Sequence, residues 1–326
     1  MSGGTPEQML GSRCFVVRSG ARYELTMATS PSGKSSRRKL PAAASIDCAT
    51  AFQTMTIDCV AAIKAYHSSA CTGDAEAVHQ IRVAITRLRA AVTFFSAIVV
   101  DAEWLRLKRE IAWLNGPLGA VRDCDVVMEY AQRKRYRAWA QRMIGEQLDK
   151  RQTLDHRRLV RCLRSARTQR LVAAMTRWIR QGQWLKRYRR RKDAEALQPY
   201  CARQLKRWQE RLVRRGRHLE TLGGPRRHRL RIKAKRFRYM LEGLTESVAL
   251  WRRAELHHLH RPAKRLQRAL GDMRDLERFA ALADGSPQAD NGKRGDKHPP
   301  GYGDRMERLL DAAIAAHRDL KQAGVG

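Results

Sequence analysis

"VHQIRVAITRLRAAV", from Val78 to Val92, is the stretch on which the reading of this chain turns. Ile81, Ile85, Leu88 and Val92 recur at three- and four-residue steps, which predicts an α-helix with one oily face. On a wheel of about 100° per residue with His79 at zero, Arg82, Thr86 and Arg89 fall within about 80° on one side of it. The apolar residues gather roughly opposite. The helix therefore begins with a histidine and arginines, although the field at a helix N-terminus favours anions. An anionic partner would make that charge welcome.

The pattern recurs. HQIRVAITRLR (His79–Arg89) aligns without gaps with HRLRIKAKRFR (His228–Arg238), pairing His79 with His228, Arg82 with Arg231, Arg87 with Arg236 and Arg89 with Arg238. Downstream, LNGPLGAVRDCD (Leu114–Asp125) aligns with LQRALGDMRDLE (Leu266–Glu277), pairing Gly119 with Gly271, Arg122 with Arg274 and Asp123 with Asp275. The two offsets are 149 and 152 residues. Coupled motifs in the same order predict an internal duplication, with halves at about 45–185 and 190–322. In the second copy His228, Arg231, Lys235 and Arg238 form the basic stripe, and Leu230, Ala234, Phe237 and Leu241 the apolar one. Thr86 lacks the charge of its counterpart Lys235, so unequal half-sites are expected.

The whole chain is basic: 326 residues carry a net charge of +34. With 43% hydrophobic residues it is no disordered polycation. Charge of this size repels itself, so a folded chain implies an abundant polyanion. Nucleic acid, polyphosphate and an anionic membrane surface all qualify. Residues 151–240 hold 30 Lys and Arg against 5 Asp and Glu, so the charge is concentrated in the middle. Seven scattered cysteines without a C-x-x-C pair suggest a reducing compartment. The first ten residues are not a secretory signal. The longest apolar run, Ala90 to Val100, is too short to cross a bilayer. A soluble cytoplasmic protein is expected.

Residues 1–44 are rich in Ser, Pro, Lys and Arg and read as a flexible segment, with at most a short strand near RYELTM. From Ser45 onward Ala, Leu, Arg and Glu dominate, which predicts an all-α fold of two pseudo-symmetric antiparallel helical bundles. The first helix carries Phe52, Met55, Cys59, Ile63 and Tyr66, and Asp74 after Gly73 suits the N-cap of the next. Further helices are expected near 101–115, 118–147, 151–184, 191–219, 225–248, 251–269, 272–283 and 304–322. Gly223-Gly224-Pro225 is a break with Pro225 at a first helical position. Residues 285–303 read as a surface loop. No strand–glycine loop–helix unit occurs, which argues against dinucleotide and P-loop folds.

On these four motifs the chain resembles the CHAD domain family, the helical domain named for its histidines. VHQIRVAITRLRAAV and RHRLRIKAKRFRYMLE look like its two basic signatures; LGAVRDCD and LGDMRDLE look like the segments that follow them. The resemblance covers about residues 45–322. It implies two helical bundles related by a pseudo-two-fold, with basic stripes meeting at the centre to bind long-chain inorganic polyphosphate. It also implies association, in some relatives, with polyphosphate or polyhydroxyalkanoate granules. Thr86 stands where the family usually has a basic residue. The segment before Ser45 lacks the Glu-x-Glu-x-Lys strand of the triphosphatase-like domain that many members carry.

The first candidates for phosphate binding are therefore His79, Arg82, Arg89, His228, Arg231, Lys235 and Arg238. Arginine forks and a lysine ammonium donate charge-assisted hydrogen bonds to phosphate oxygens. The histidines are expected in first helical turns, where free backbone N–H groups also favour an anion. A second set is Arg87, Arg236, Lys264, Arg122 and Arg274. Of these, Arg87 and Arg236 lie off the stripe with solvent as the default, and Lys264 either lines the same cavity or faces water. Arg122 and Arg274, each followed by an aspartate, read first as structural caps or ion pairs. For His257, His258 and His260 no nearby carboxylate or cysteine completes a convincing metal set. The tryptophans read as core anchors. No nucleophile elbow or repeated acid pair appears, so a binding module without catalysis, cofactor or metal is expected. Weak nonspecific nucleic-acid binding is the alternative.

Overall fold

Short polar caps set the helix starts. Asp47 accepts from Thr50 N at 2.7 Å ahead of α1 (Cys48–Ala65). After α2 (His67–Cys71), Asp74 accepts from Glu76 N at 2.9 Å and opens α3 (Ala75–Phe94). Gly73 supplies the left-handed turn before it, with φ +98°. α4 (Ser96–Val99) is one turn, and Asp101 caps α5 (Ala102–Ala131). Then come α6 (Arg137–Arg164), α7 (Ala166–Gln181) and α8 (Gln183–Arg189). The second half holds α9 (Leu197–Arg215), a 3-10 turn at Leu219–Thr221, α10 (Gly224–Glu246), α11 (His257–Ala281) and α12 (Tyr302–Gln322). This computed structural model describes residues 46–191, 195–252, 254–282 and 298–324. The expected flexible segment 1–44, its RYELTM strand and most of the loop at 285–303 lie outside them. Among the described residues the fold is all-α, with no strand.

Several helix boundaries differ from those expected. The helices expected at 101–115 and 118–147 are divided elsewhere, because α5 runs through Pro117 to Ala131. An internal proline costs a helix about 3 kcal/mol. Leu114 and Leu118, both 0% exposed on either side of it, bury enough surface to hold the helix through. The break falls instead at 132–136, and α6 continues past the expected junction near 150. The helix expected over 151–184 is cut at Ser165, which caps α7, and at Gly182. A Cβ at Gly182 would lie 2.5 Å from Trp178 O. The helices expected at 251–269 and 272–283 are one, α11, in which Gly271 is buried rather than terminal.

Phe52 on α1 anchors the main core, with ring centroids 5.1 Å from Trp184, 5.8 Å from Trp178 and 6.0 Å from Phe95. The tryptophans there are core anchors as expected: Trp184 is 0% and Trp178 2% exposed. Apolar burial continues from Cys48 to Leu320, through both halves. A smaller cluster sets Phe279 of α11 against Tyr130 of α5 and Trp139 of α6. The cysteines among the described residues are all free thiols, so no disulfide ties these helices together.

The packing brings the repeated segments together. α3 packs on α1, α5 and α10; α10 packs on α9, α11 and α3; α5 also meets α11. The ring α3–α5–α11–α10 thus carries all four motifs at the centre. No helix among the described residues is long and apolar enough to cross a membrane.

Trp184→Ala removes the ring beside Phe52 and a hydrogen bond from its Nε1 to Trp178 O at 2.9 Å. Urea unfolding should show a loss of about 3–5 kcal/mol. A loss below about 1 kcal/mol would place the core elsewhere.

Candidate functional site

The basic stripes of α3 and α10 face one open cleft of about 560 Å³, whose other walls are α5 and α11. His79, Arg82 and Arg89 reach it from α3, and His228, Arg231, Lys235 and Arg238 from α10. The first candidate set is thus brought together completely. Among the described residues eight arginines and one lysine line the cleft against two aspartates, Asp123 and Asp275.

The downstream motifs make the cleft possible through their glycines. A Cβ at Gly119 on α5 would come 3.0 Å from Arg82 Nη1. A Cβ at the matching Gly271 on α11 would come 3.3 Å from Arg231 Nε. The glycines therefore seat guanidinium groups, not helix backbones. Arg82 Nη1, Arg231 Nε, Arg274 Nε and His228 Nδ1 are buried without a hydrogen-bond partner. A buried unsatisfied donor costs about 1–3 kcal/mol, so these groups are poised for an acceptor that enters the cleft.

The second candidate set divides. Arg122 and Arg274 line the cleft from mid-helix positions, so the reading of their aspartates as helix caps is corrected. Asp123 is the ion-pair partner instead, accepting from Arg278 across α5 and α11. Arg236 also lines the cleft, although the helical wheel placed it off the stripe. Arg87 neither faces water freely nor enters the cleft: its Nη2 lies 3.3 Å from Glu242 Oε2. Lys264 is exposed on α11 and lies outside the cleft wall. The histidines occupy the fifth positions of α3 and α10, one turn deeper than expected. The free N–H groups at the start of α3 already serve the Asp74 cap. The histidines thus contribute side chains and no helix-end field.

Sequence reasoning missed Arg278, Asn115, Gln267 and Tyr239, all on the cleft wall. Arg278 was findable: it stands four residues after Arg274, on the same helix face. Asn115 and Gln267 are matched by the 152-residue offset. Gln267 Oε1 accepts from Arg238 Nε at 2.7 Å, and Arg238 also pairs with Glu242 and lies 4.4 Å over the Tyr239 ring. Arg238 is therefore held from three sides. Thr86 lines the wall, but its hydroxyl donates to Arg82 O at 2.8 Å.

Like charge and burial shape the protonation of these groups. Burial first, then Arg231, Arg82, Arg238 and Arg122, push the Lys235 ammonium down to about 7. Burial and then Arg122 lower His79; burial and then Arg274 lower His228. Burial raises the Asp275 carboxyl despite Arg231 and Arg278. Burial would also raise Glu242, but a hydrogen bond with His260 at 3.0 Å, then Arg238 and Arg87, together hold it below the usual range. The three neighbouring histidines serve separate ends, since His258 Nε2 reaches Gly324 O at 2.7 Å and His257 is exposed. Among the described residues no three His, Cys, Asp or Glu side chains converge as metal ligands would.

Residues 55–284 match the family model of the CHAD domain. The chain belongs to the CHAD domain family. The crystal structure of the CHAD domain from the plant Ricinus communis superposes with a TM-score of 0.66 at 23% identity, covering 86% of this chain and 94% of that one. PptA from Streptomyces chartreusis gives 0.55 at 16% identity, over 85% and 97%. No curated protein matches this chain. At these identities the likeness speaks for the CHAD fold, and the cleft has to speak for its ligand.

Lys235 makes a signed prediction. Its folded value of about 7 lies below the ordinary 10.5. Between those values the unfolded chain binds the extra proton, so stability rises with pH across that window and the penalty is full below it. Lys235→Met should flatten the rise and stabilise the protein most at the acidic end. Urea unfolding across the window checks this; an identical slope in both proteins contradicts it.

Proposed function

We propose that this CHAD domain is a binding module for long-chain inorganic polyphosphate. The observation that carries the reading is the set of buried, unpartnered donors on Arg82, Arg231, Arg274 and His228 in one cleft. Such donors suit closely spaced phosphate oxygens, which accept several charge-assisted hydrogen bonds at once. The aromatic side chain in the wall, Tyr239, is 5% exposed and lies beneath Arg238, so the cleft offers bases no stacking platform. Arg89, Lys235 and Arg238 extend the contact beyond a single phosphate group. The matching motifs on α3 and α10 suit a ligand that is a chain, since each helix contributes one stripe. The module binds without turnover in this reading, and association with polyphosphate or polyhydroxyalkanoate granules would follow from the bound chain.

The second reading is nonspecific nucleic-acid binding, favoured by the basic segment 151–240. Competition at physiological salt separates the two, because easy displacement of polyphosphate by DNA supports the second. Chain shortening on incubation with Mg²⁺ or Mn²⁺ would replace the binding module by an enzyme.

Replacing Arg82, Arg89, Arg231 and Arg238 together by Ala should lower polyphosphate affinity by roughly a thousandfold, at about 1 kcal/mol per contact. Circular dichroism should keep its helical signal. Unchanged affinity would move the site to the 151–240 surface.

Binding should also take up protons. A polyanion stabilises the charged forms of Lys235, His79 and His228, whose pKa values are all depressed. Affinity should therefore fall as pH rises through about 7, the Lys235 value. Calorimetry in buffers of different ionisation enthalpy measures the uptake, and zero uptake would contradict the assignment of these groups.

A further inference from the structure

The cleft is flanked by two smaller pockets that the repeat places in equivalent positions, yet their charges are opposite. The pocket beside α1 is bounded by Asp58, Ala84, Arg87 and Glu246. Arg87 is the one cation of its wall among the described residues, and Glu242 holds it at 3.3 Å. The pocket beside α9, of about 70 Å³, is bounded by Thr93, Trp208, Arg211, Lys233, Arg236 and Phe237. The 149-residue offset matches Arg87 with Arg236 and Ala84 with Lys233. A cation thus stands where the first copy has a neutral residue, and among the described residues no carboxylate lines this second pocket.

Arg236 lines both the central cleft and the α9 pocket. It forms a shared wall from which cations continue outward. Burial and then Arg89 lower the Arg236 guanidinium, while burial and then Arg215, Arg236 and Arg211 lower the Lys233 ammonium. Like charge thus reaches Arg236 from Arg89, and Lys233 from Arg215, Arg236 and Arg211. Trp208 is half-buried in this wall and packs edge-on against Phe94 at 5.3 Å, which fixes its ring against the core.

We propose that a bound polyphosphate chain leaves the central cleft on one side only, over Arg236 into the pocket between α9 and α10. This rests on the polyphosphate reading and gives the bound chain a direction. On the other side the wall carries the carboxylate of Asp58, and its cation Arg87 is already held by Glu242. The α9 pocket is a second phosphate subsite, filled only by chains long enough to extend past the cleft. Linked subsites of this kind raise affinity through effective concentration without new chemistry. The subsite also gives part of the large charge of the 151–240 segment a specific role.

Arg211 and Arg215 are both exposed, so replacing them leaves the core intact. The double variant Arg211→Ala/Arg215→Ala should be titrated with long-chain polyphosphate and with tripolyphosphate at several salt concentrations. Affinity for the long chain should fall roughly tenfold, the effect of two exposed ion pairs. The log–log salt slope should shrink by about two units, about one per lost contact. Tripolyphosphate affinity should not change, because it fits within the cleft, and Asp58→Asn, which removes only a repelling charge, should weaken neither ligand. Unchanged long-chain affinity and slope in the double variant would overturn the exit path alone. An equal loss for tripolyphosphate, or a loss as large from Asp58→Asn, also overturns it. Loss of DNA binding with long-chain polyphosphate binding intact would assign the α9 surface to nucleic acid. Failure of the unaltered protein to bind long chains removes the polyphosphate reading and this one together.

Discussion

Everything at the centre of this molecule depends on packing α3 against α10. Each helix has an oily face and a basic stripe, and burying the faces forces the stripes to share one cleft. Two unit charges about 4 Å apart interact by about 4 kcal/mol at an effective dielectric of 20. A cleft lined by nine cations and two carboxylates therefore opposes folding. Burial first, and the neighbouring cations second, depress the Lys235, His79 and His228 pKa values. The apolar core around Phe52, Trp178 and Trp184 has to outweigh that opposition, with no disulfide among the described residues to help.

The few acids at the centre organise the cations more than they cancel them. Glu242 joins three helices: Arg87 reaches it from α3, Arg238 stands on its own helix α10, and His260 comes from α11. It fixes the position of Arg238 while drawing Arg87 away from the cleft. Asp123 and Arg278 tie α5 to α11 in the same way. The net effect is a rigid wall of directed donors. Removing such donors from solvent is unfavourable unless an acceptor arrives, so the same arrangement that strains the free protein favours a multivalent anion.

Much of this was legible in the chain. The helical spacing of Ile81, Ile85, Leu88 and Val92 predicts one buried face, and all four are buried. The basic stripes follow from the same periodicity, and every residue of the first candidate set lines the cleft. Helix ends were less legible, since Pro117 and Gly271 carry local signals to stop that packing overrides. Arg87 and Arg236 illustrate the limit most clearly. They occupy the same place in the repeat, yet one pairs with Glu242 and the other faces the cleft.

By itself the sequence determined the all-α class, the repeated pairs of motifs and which helix faces are oily or basic. These are properties of neighbours along one helix, set by a period of about 3.6 residues. The tertiary structure alone decided that Gly119 and Gly271 seat Arg82 and Arg231, that Glu242 claims Arg87, and that the α9 side of the cleft is basic while the α1 side is acidic. Those outcomes join residues on different helices, up to 155 positions apart in the case of Arg87 and Glu242. Which partner wins there depends on distance and burial across helix interfaces, and no helical period encodes either.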